Sequence, residues 1–175
     1  MSKSLIQERY WSSLTDKKFA LHYIEAHFAK SIQINRIIKI IMAVASCSSI
    51  AAWTIWKQLA FLWGVIIAVS QVVGVVNEYL PYQKRIEDIS NLKSEWSLIF
   101  LSMEKDWLKV SKGDMTEEEI NDLLFQYEKE WNEADDKYFQ EDALPFKQKC
   151  YDYAEAKMML YFKRYYEGEE YVLCK

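Results

Sequence analysis

Residues that could carry catalysis are few and poorly spaced in this sequence. The chain has 2 histidines, His22 and His27, and their spacing of five puts them on different faces of a helix. No third histidine completes a zinc site, and no serine stands in a nucleophile-elbow context. Gly64 and Gly74 lie in apolar runs rather than in a phosphate-binding loop. The sequence therefore predicts a protein that is not an enzyme and holds no cofactor or metal.

Basic residues interleaved with aromatic ones offer a different chemistry, because cations bind phosphates and aromatic rings stack on bases. Such residues occur near both ends of the chain. The candidates for binding a nucleotide or oligonucleotide are Lys17, Lys18, Lys30, Arg36, Lys157, Tyr161, Lys163, Arg164 and Tyr165. The alternative is structural. At helical spacing the aromatic residues form part of a core, and the N-terminal cations set membrane topology or contact lipid headgroups.

Polar residues inside long apolar segments indicate either helix packing or a water-filled path. Residues 40–56 and 59–76 are almost wholly apolar, with two polar residues between them. Gln71, Gly74 and Glu78 are spaced by three and four residues and so share one helix face. Side chains of this kind either hydrogen-bond between helices or line a pore. The pore-lining candidates are Ser46, Ser49, Gln71, Gly74 and Glu78.

The two apolar runs must position those residues, and they determine the expected fold. Helices of 17 and 18 residues are about 25–27 Å long, which nearly matches a hydrocarbon core of about 30 Å. Both ends of such a hairpin lie on one side of the membrane. The lysine and arginine residues that flank the pair predict that this side is the cytoplasm. A buried helical hairpin is the alternative.

The expected fold class is an all-α membrane protein with an N-terminal amphipathic helix, a two-helix transmembrane hairpin and a cytoplasmic helical bundle. The corresponding domain boundaries are 1–39, 40–78 and 79–175. Residues 1–39 contain seven lysines and arginines against three acids, which gives a net charge of +4. This segment is predicted to be either an interfacial helix beside anionic lipid or a bundle helix that continues into the first apolar run.

Three helices are expected in the last of these segments. The first covers about 82–112, where apolar residues recur every three or four positions, as in the seam of a coiled coil or bundle. Gly113 is suited to the position after a helix end. Thr116 and Glu119 form a capping box that opens a strongly acidic helix. A last helix is expected over about 146–167.

This arrangement resembles the SLATT family of two-transmembrane-helix effectors. The resemblance is carried by an approach helix at 23–30, a tight hairpin between Trp53 and Trp63, and the stretch 79–82 that leads into 86–110. It implies a pore-forming effector of a bacterial anti-phage defence system, placed in the inner membrane. It also implies membrane lipid as a partner, a homo-oligomer of four or more subunits, and gating by a nucleotide or oligonucleotide that a partner nucleotidyltransferase makes.

Two functions follow as hypotheses. The first is a homo-oligomeric ion channel in which the seam at 86–110 assembles the subunits and the second apolar run lines the path. The second is a non-conducting membrane anchor or scaffold that recruits a soluble partner through its acidic helices, with 117–142 as the docking face. The channel depends on the polar face of the second run, and the scaffold depends on the acidic charge of the C-terminal half.

Overall fold

A computed structural model describes residues 4–55, 82–139 and 144–167, together with 61, 64–65, 68–69, 71–72 and 74–75. Within these residues, side chains are described except at 44–55, 82 and 167. All regular structure in the described residues is helical, which confirms the all-α part of the expected fold class. The helices are α1 at Leu5–Ile55, α2 at Tyr82–Lys112, α3 at Glu117–Tyr138 and α4 at Gln148–Phe162, which continues into a π turn at Lys163–Glu167.

The turn between α2 and α3 has the signals that the sequence predicted. Gly113 adopts a φ of 77°, a left-handed conformation that favours glycine because it has no Cβ. The Thr116 hydroxyl accepts a hydrogen bond from the Glu119 amide, and the Glu119 carboxylate accepts one from the Thr116 amide at 2.8 Å. The capping box is therefore confirmed, and it fixes where α3 begins.

A helical bundle forms one compact unit from Met1–Phe28 and Asp88–Lys175. The N-terminal part of α1 packs antiparallel to α2, since the Tyr10 hydroxyl donates to the Met103 carbonyl at 3.0 Å and Glu25 pairs with Lys93 nearer the start of α2. The four-residue connection 113–116 makes α3 antiparallel to α2. The last helix, α4, runs antiparallel to α1, because its N-terminal end lies near residue 23 and its C-terminal end near residue 11.

Large aromatic side chains fill much of the bundle core. Trp96 of α2 and Trp131 of α3 stack with ring centroids 4.2 Å apart. Tyr10 and Trp107 stack between α1 and α2 at 5.9 Å. Buried aromatic pairs of this kind contribute about 0.5–1.5 kcal/mol beyond the burial of their area. The bundle is therefore held mainly by contacts between residues that are far apart in the sequence.

The second compact unit comprises residues 29–87. In its described part, a shallow groove of about 380 Å³ follows α1 and is lined by apolar and basic residues. These residues are Ile32, Asn35, Arg36, Lys39, Ile40 and Ala43. Ile32 and Ile40 of this groove are exposed, at 36 % and 55 %.

The membrane interpretation requires correction. In the part of the chain that the structure describes, no helix has an apolar stretch long enough to cross a membrane. A spanning helix needs about 20 mainly apolar residues, whereas the apolar stretch of α1 that the structure describes, residues 40–55, has 16. The predictions of a transmembrane hairpin, an ion channel and a multi-pass inner-membrane location are therefore wrong for the described residues. Half of 59–76 lies outside those residues.

The pore-lining residues were predicted on the assumption of a transmembrane hairpin, so this correction removes the basis of that prediction. Ser46 and Ser49 belong to the helical backbone of α1, but their side chains lie outside the described part of the structure. Gln71 is helical and exposed, and a Cβ added at Gly74 would meet no described atom within 4 Å. Glu78 lies outside the described residues. The described members of this set thus show no close packing.

Candidate functional site

Lys17, a predicted ligand-binding residue, links α1 to α3 through an ion pair. Its Nζ lies 2.8 Å from a carboxylate oxygen of Glu128 and 4.6 Å from the centroid of the Trp131 ring. The Ser13 hydroxyl donates to the other oxygen of the same carboxylate at 2.7 Å. A lysine held in this way already has its charge compensated, so Lys17 acts as a structural cation.

Lys18 lies on the other side of α1, over two aromatic rings. Its Nζ is 4.4 Å from the centroid of Phe100 and 3.6 Å from that of Tyr161. Burial lowers the pKa of Lys18, and the charges of Glu104 and Glu25 oppose that change. The structure therefore brings two predicted ligand-binding residues, Lys18 and Tyr161, into contact, and this contact between α1 and α4 is half-buried.

Glu104 joins these residues to the end of α4, and sequence reasoning missed it. One of its carboxylate oxygens accepts hydrogen bonds from the hydroxyls of Tyr161 at 2.5 Å and Tyr166 at 3.0 Å. Residues five apart lie on one face only where the helix widens to the π form, and the π turn Lys163–Glu167 supplies this widening. Burial and the hydrogen bond to Glu104 raise the pKa of both tyrosine hydroxyls. The result is a partly exposed hydrogen-bonded contact between α2 and the C-terminal end of α4.

The remaining predicted cations do not gather around Lys18. Lys157 lies 5.7 Å from the Tyr153 ring, and Arg164 lies at the same distance from the Tyr165 ring. Lys163 begins the π turn. Lys30 and Arg36 belong to the other compact unit. The described structure therefore does not assemble the predicted set into one anion-binding site.

A surface groove between α2 and α3 has the features of a binding site. It has a volume of about 410 Å³ and is lined by apolar and mainly acidic residues. Leu98, Ile99 and Ala134 are the apolar ones, and Glu95, Glu130, Glu133 and Lys137 are the charged ones. We call these seven residues the acidic groove. Three carboxylates against one lysine leave the groove with a net negative charge of two.

The charges of the acidic groove are unequally compensated. Glu95 accepts hydrogen bonds from Lys137 at 2.5 Å and from the Tyr138 hydroxyl at 2.7 Å, and these bonds lower the pKa of Glu95. Glu130 accepts from the neutral Gln126 amide at 2.8 Å. Glu133 lies 3.7 Å from the exposed Lys129, a surface pair of the kind that contributes about 0–1 kcal/mol. Glu130 and Glu133 therefore supply most of the uncompensated charge.

The apolar seam predicted to assemble subunits lies inside the bundle. Ile89, Leu92, Trp96, Met103, Trp107 and Val110 are buried in the core. The opposite side of α2 carries exposed leucines instead. Leu98, Leu101 and Leu108 are 66 %, 56 % and 59 % exposed. Their spacing of three and seven residues can be found in the sequence. The apolar seam at 86–110 has more residues, however, so the sequence favours that seam as the interacting face instead.

Comparison with known protein families, with curated proteins and with solved structures finds no match for this chain. The resemblance to the SLATT family therefore stays a prediction. Among the described surfaces of the bundle, the acidic groove combines a cavity with an uncompensated negative charge.

Proposed function

We propose that this chain is a helical docking module, and not an enzyme, that binds a basic amphipathic segment of a protein partner in the acidic groove. This proposal keeps the partner-recruiting scaffold of the second sequence-based hypothesis and omits its membrane anchor. The proposal depends on one observation. The same cavity is lined by the apolar side chains of Leu98, Ile99 and Ala134 and by the carboxylates of Glu130 and Glu133.

The chemistry of the groove specifies the partner's chemistry. Amphipathic helices bind in apolar grooves through side chains that recur every three or four residues. Leucine-sized side chains would cover Leu98 and Ile99, and lysine or arginine side chains would reach the carboxylates. Electrostatic complementarity of this kind raises the association rate and excludes acidic segments. The partner is therefore a protein segment with apolar residues on one face and cations beside them.

A nucleotide ligand, the partner that the resemblance implies, has less support. Phosphate binding needs cations whose charge is available to the ligand. Lys17 is paired with Glu128, and Lys18 lies between the rings of Phe100 and Tyr161. The groove itself is acidic and would repel phosphate. The described residues thus favour a basic protein segment.

The proposal is tested with a fluorescein-labelled helical peptide that contains leucine and lysine in heptad order. A second peptide with glutamate at every lysine position serves as the reference. Fluorescence anisotropy is expected to show saturable binding of the leucine–lysine peptide and none of the leucine–glutamate peptide. Binding is expected to weaken with added salt, because exposed charges are screened over about 8 Å at physiological ionic strength.

Two variants of equal charge locate the binding site. Glu130→Gln with Glu133→Gln removes two carboxylates from the groove, and each exposed ion pair contributes about 0.2–1 kcal/mol. The peptide affinity is expected to fall by about two- to thirtyfold. Asp114→Asn with Glu117→Gln removes the same charge around the start of α3, outside the groove, and is expected to change the affinity by less than about twofold. Equal losses in both variants would contradict the proposal.

A further inference from the structure

The outer side of α2 presents an apolar and basic surface that the bundle does not use. Leu101 and Leu108 are more than half exposed, and the exposed Lys105 and Lys112 follow each of them by four residues. Steps of four, three and four residues place all four side chains on one helix face. We call Leu101, Lys105, Leu108 and Lys112 the leucine face.

The outer side of α3 presents a surface of opposite charge. Phe125 is 73 % exposed, and burial of a side chain of this size contributes about 1.5–3 kcal/mol. Asp122 lies three residues before it and Glu118 seven residues before it, so both carboxylates share its helix face. Lys129, four residues after Phe125, is on the same face, and its charge is paired with Glu133 at 3.7 Å. We call Glu118, Asp122 and Phe125 the phenylalanine face.

We propose that the phenylalanine face of one copy of this chain docks on the leucine face of a second copy. The two surfaces complement each other in chemistry. An aromatic ring fits against two leucines spaced two helical turns apart, and two carboxylates meet two ammonium groups. Leu98 of the acidic groove lies three residues before Leu101, so the two surfaces adjoin on α2. The proposal uses none of the seven residues of the groove, and its test variants leave all of them unchanged.

The contact is heterologous, because it joins two different surfaces of the same chain. Each copy that donates its phenylalanine face keeps its own leucine face available for another copy. Such contacts generate a ring if the rotation closes and an open chain if it does not. The average mass of the protein in solution is therefore expected to rise with concentration.

The test uses two variants that each destroy one face. Leu108→Glu places a carboxylate on the leucine face, and Phe125→Glu removes the ring from the phenylalanine face. Both positions are exposed, and glutamate is a good helix former, so the bundle is expected to fold. Each variant alone is expected to be monomeric in sedimentation velocity. An equimolar mixture is expected to form a 1:1 dimer, because each variant retains the face that the other lacks.

The outcomes separate this contact from other ones. A symmetric contact between two leucine faces would make Leu108→Glu monomeric and leave Phe125→Glu associated with itself. Mixing the two variants would then give no heterodimer. That result would overturn the proposal. Wild-type protein that remains monomeric at roughly 0.1 mM, a hundredfold above a micromolar Kd, would also overturn it. Met159→Glu is the matched control, since Met159 is 58 % exposed on α4, and it is expected to associate like wild type.

The pairing of charges is tested by reversal. Lys105→Glu alone and Asp122→Lys alone each place like charges across the contact and are expected to weaken association. The double variant in one chain restores opposite charges between copies and is expected to recover association to near the wild-type level. A double variant that associates no better than the single variants would show that Lys105 and Asp122 do not meet and would overturn this docking arrangement.

Discussion

At the scale of single residues, two of the predicted ligand-binding cations, Lys17 and Lys18, are half-buried in contacts within the bundle. Lys18 illustrates the point, because its neighbours Phe100 and Tyr161 lie 82 and 143 positions away in the sequence. Residue type predicted a site of cations and aromatic rings, and Lys18 does meet Tyr161. Sequence spacing could not show that Lys18 packs against these rings of the bundle, since that depends on how α1, α2 and α4 pack together.

His22 carries a pH-dependent contribution to stability. Its Nδ1 lies 3.2 Å from a Glu25 carboxylate oxygen, and its buried Nε2 has no hydrogen-bond partner among the described residues. Burial lowers the pKa of His22, assisted by the charges of Lys18 and Lys157, while Glu25 opposes the change. The unfolded state therefore binds more protons than the folded state below a pH of about 6.5, so stability falls as pH falls through that range.

The variant His22→Gln is expected to flatten this dependence. Glutamine keeps a polar group near Glu25 but does not titrate between pH values of about 7.5 and 5. The loss in Tm over that interval, measured by circular dichroism, is expected to be smaller than in wild type. Glu25 does not produce the same signal, because the hydrogen bonds from His22 and Lys93 outweigh burial and lower the pKa of its carboxyl group. An unchanged slope would show that His22 is not the titrating group.

At the scale of elements, the sequence predicts where helices begin and end, but it does not predict which surfaces those helices pack against. Gly113 and the capping box fixed the turn between α2 and α3 because their chemistry is local. The apolar seam of α2 was also correct as a periodic pattern. Periodicity identifies an apolar face but not the surface that covers it, so a core face was interpreted as an assembly face. The π turn after α4 has no simple sequence signal, since it depends on Tyr166 reaching Glu104.

The capping box predicts a measurable change in the stability of α3. Thr116→Ala removes the side-chain oxygen that accepts from the Glu119 amide and is expected to lower the free energy of unfolding by about 1 kcal/mol. Thr116→Ser keeps that oxygen and is expected to differ from wild type by a few tenths of a kcal/mol. Urea denaturation at neutral pH measures both values. Equal destabilisation by alanine and serine would assign the effect to the threonine methyl group instead.

At the scale of the whole molecule, charge is segregated between helices. Residues 1–39 have a net charge of +4, whereas the chain as a whole has a net charge of -4. Within the bundle, α3 carries acids on its outer side and α2 carries lysines beside its exposed leucines. Segregation of this kind favours association between unlike surfaces and makes it sensitive to salt. Both proposed contacts use this property, one toward a basic partner and one toward a second copy.

The bundle is expected to fold without residues 29–87. Its core is drawn from Met1–Phe28 and Asp88–Lys175. The two ends that a linker must join are near each other, because the Lys93 ammonium lies 5.9 Å from the Phe28 ring and Asp88 precedes Lys93 by about 7.5 Å along α2. A glycine–serine linker of about ten residues spans roughly 16–19 Å on average, which is enough for this connection.

The shortened chain is expected to be helical by circular dichroism and to unfold in one cooperative transition. The stack of Trp96 on Trp131 gives an independent reading, since both rings are buried in the bundle core. Their near-ultraviolet signal is expected to disappear at the same temperature as the helical signal. Trp131→Ala in the shortened chain is expected to destabilise it by about 3–5 kcal/mol. Helical signal that melts gradually, with no near-ultraviolet signal, would show instead that residues 29–87 are required for the packing of the core.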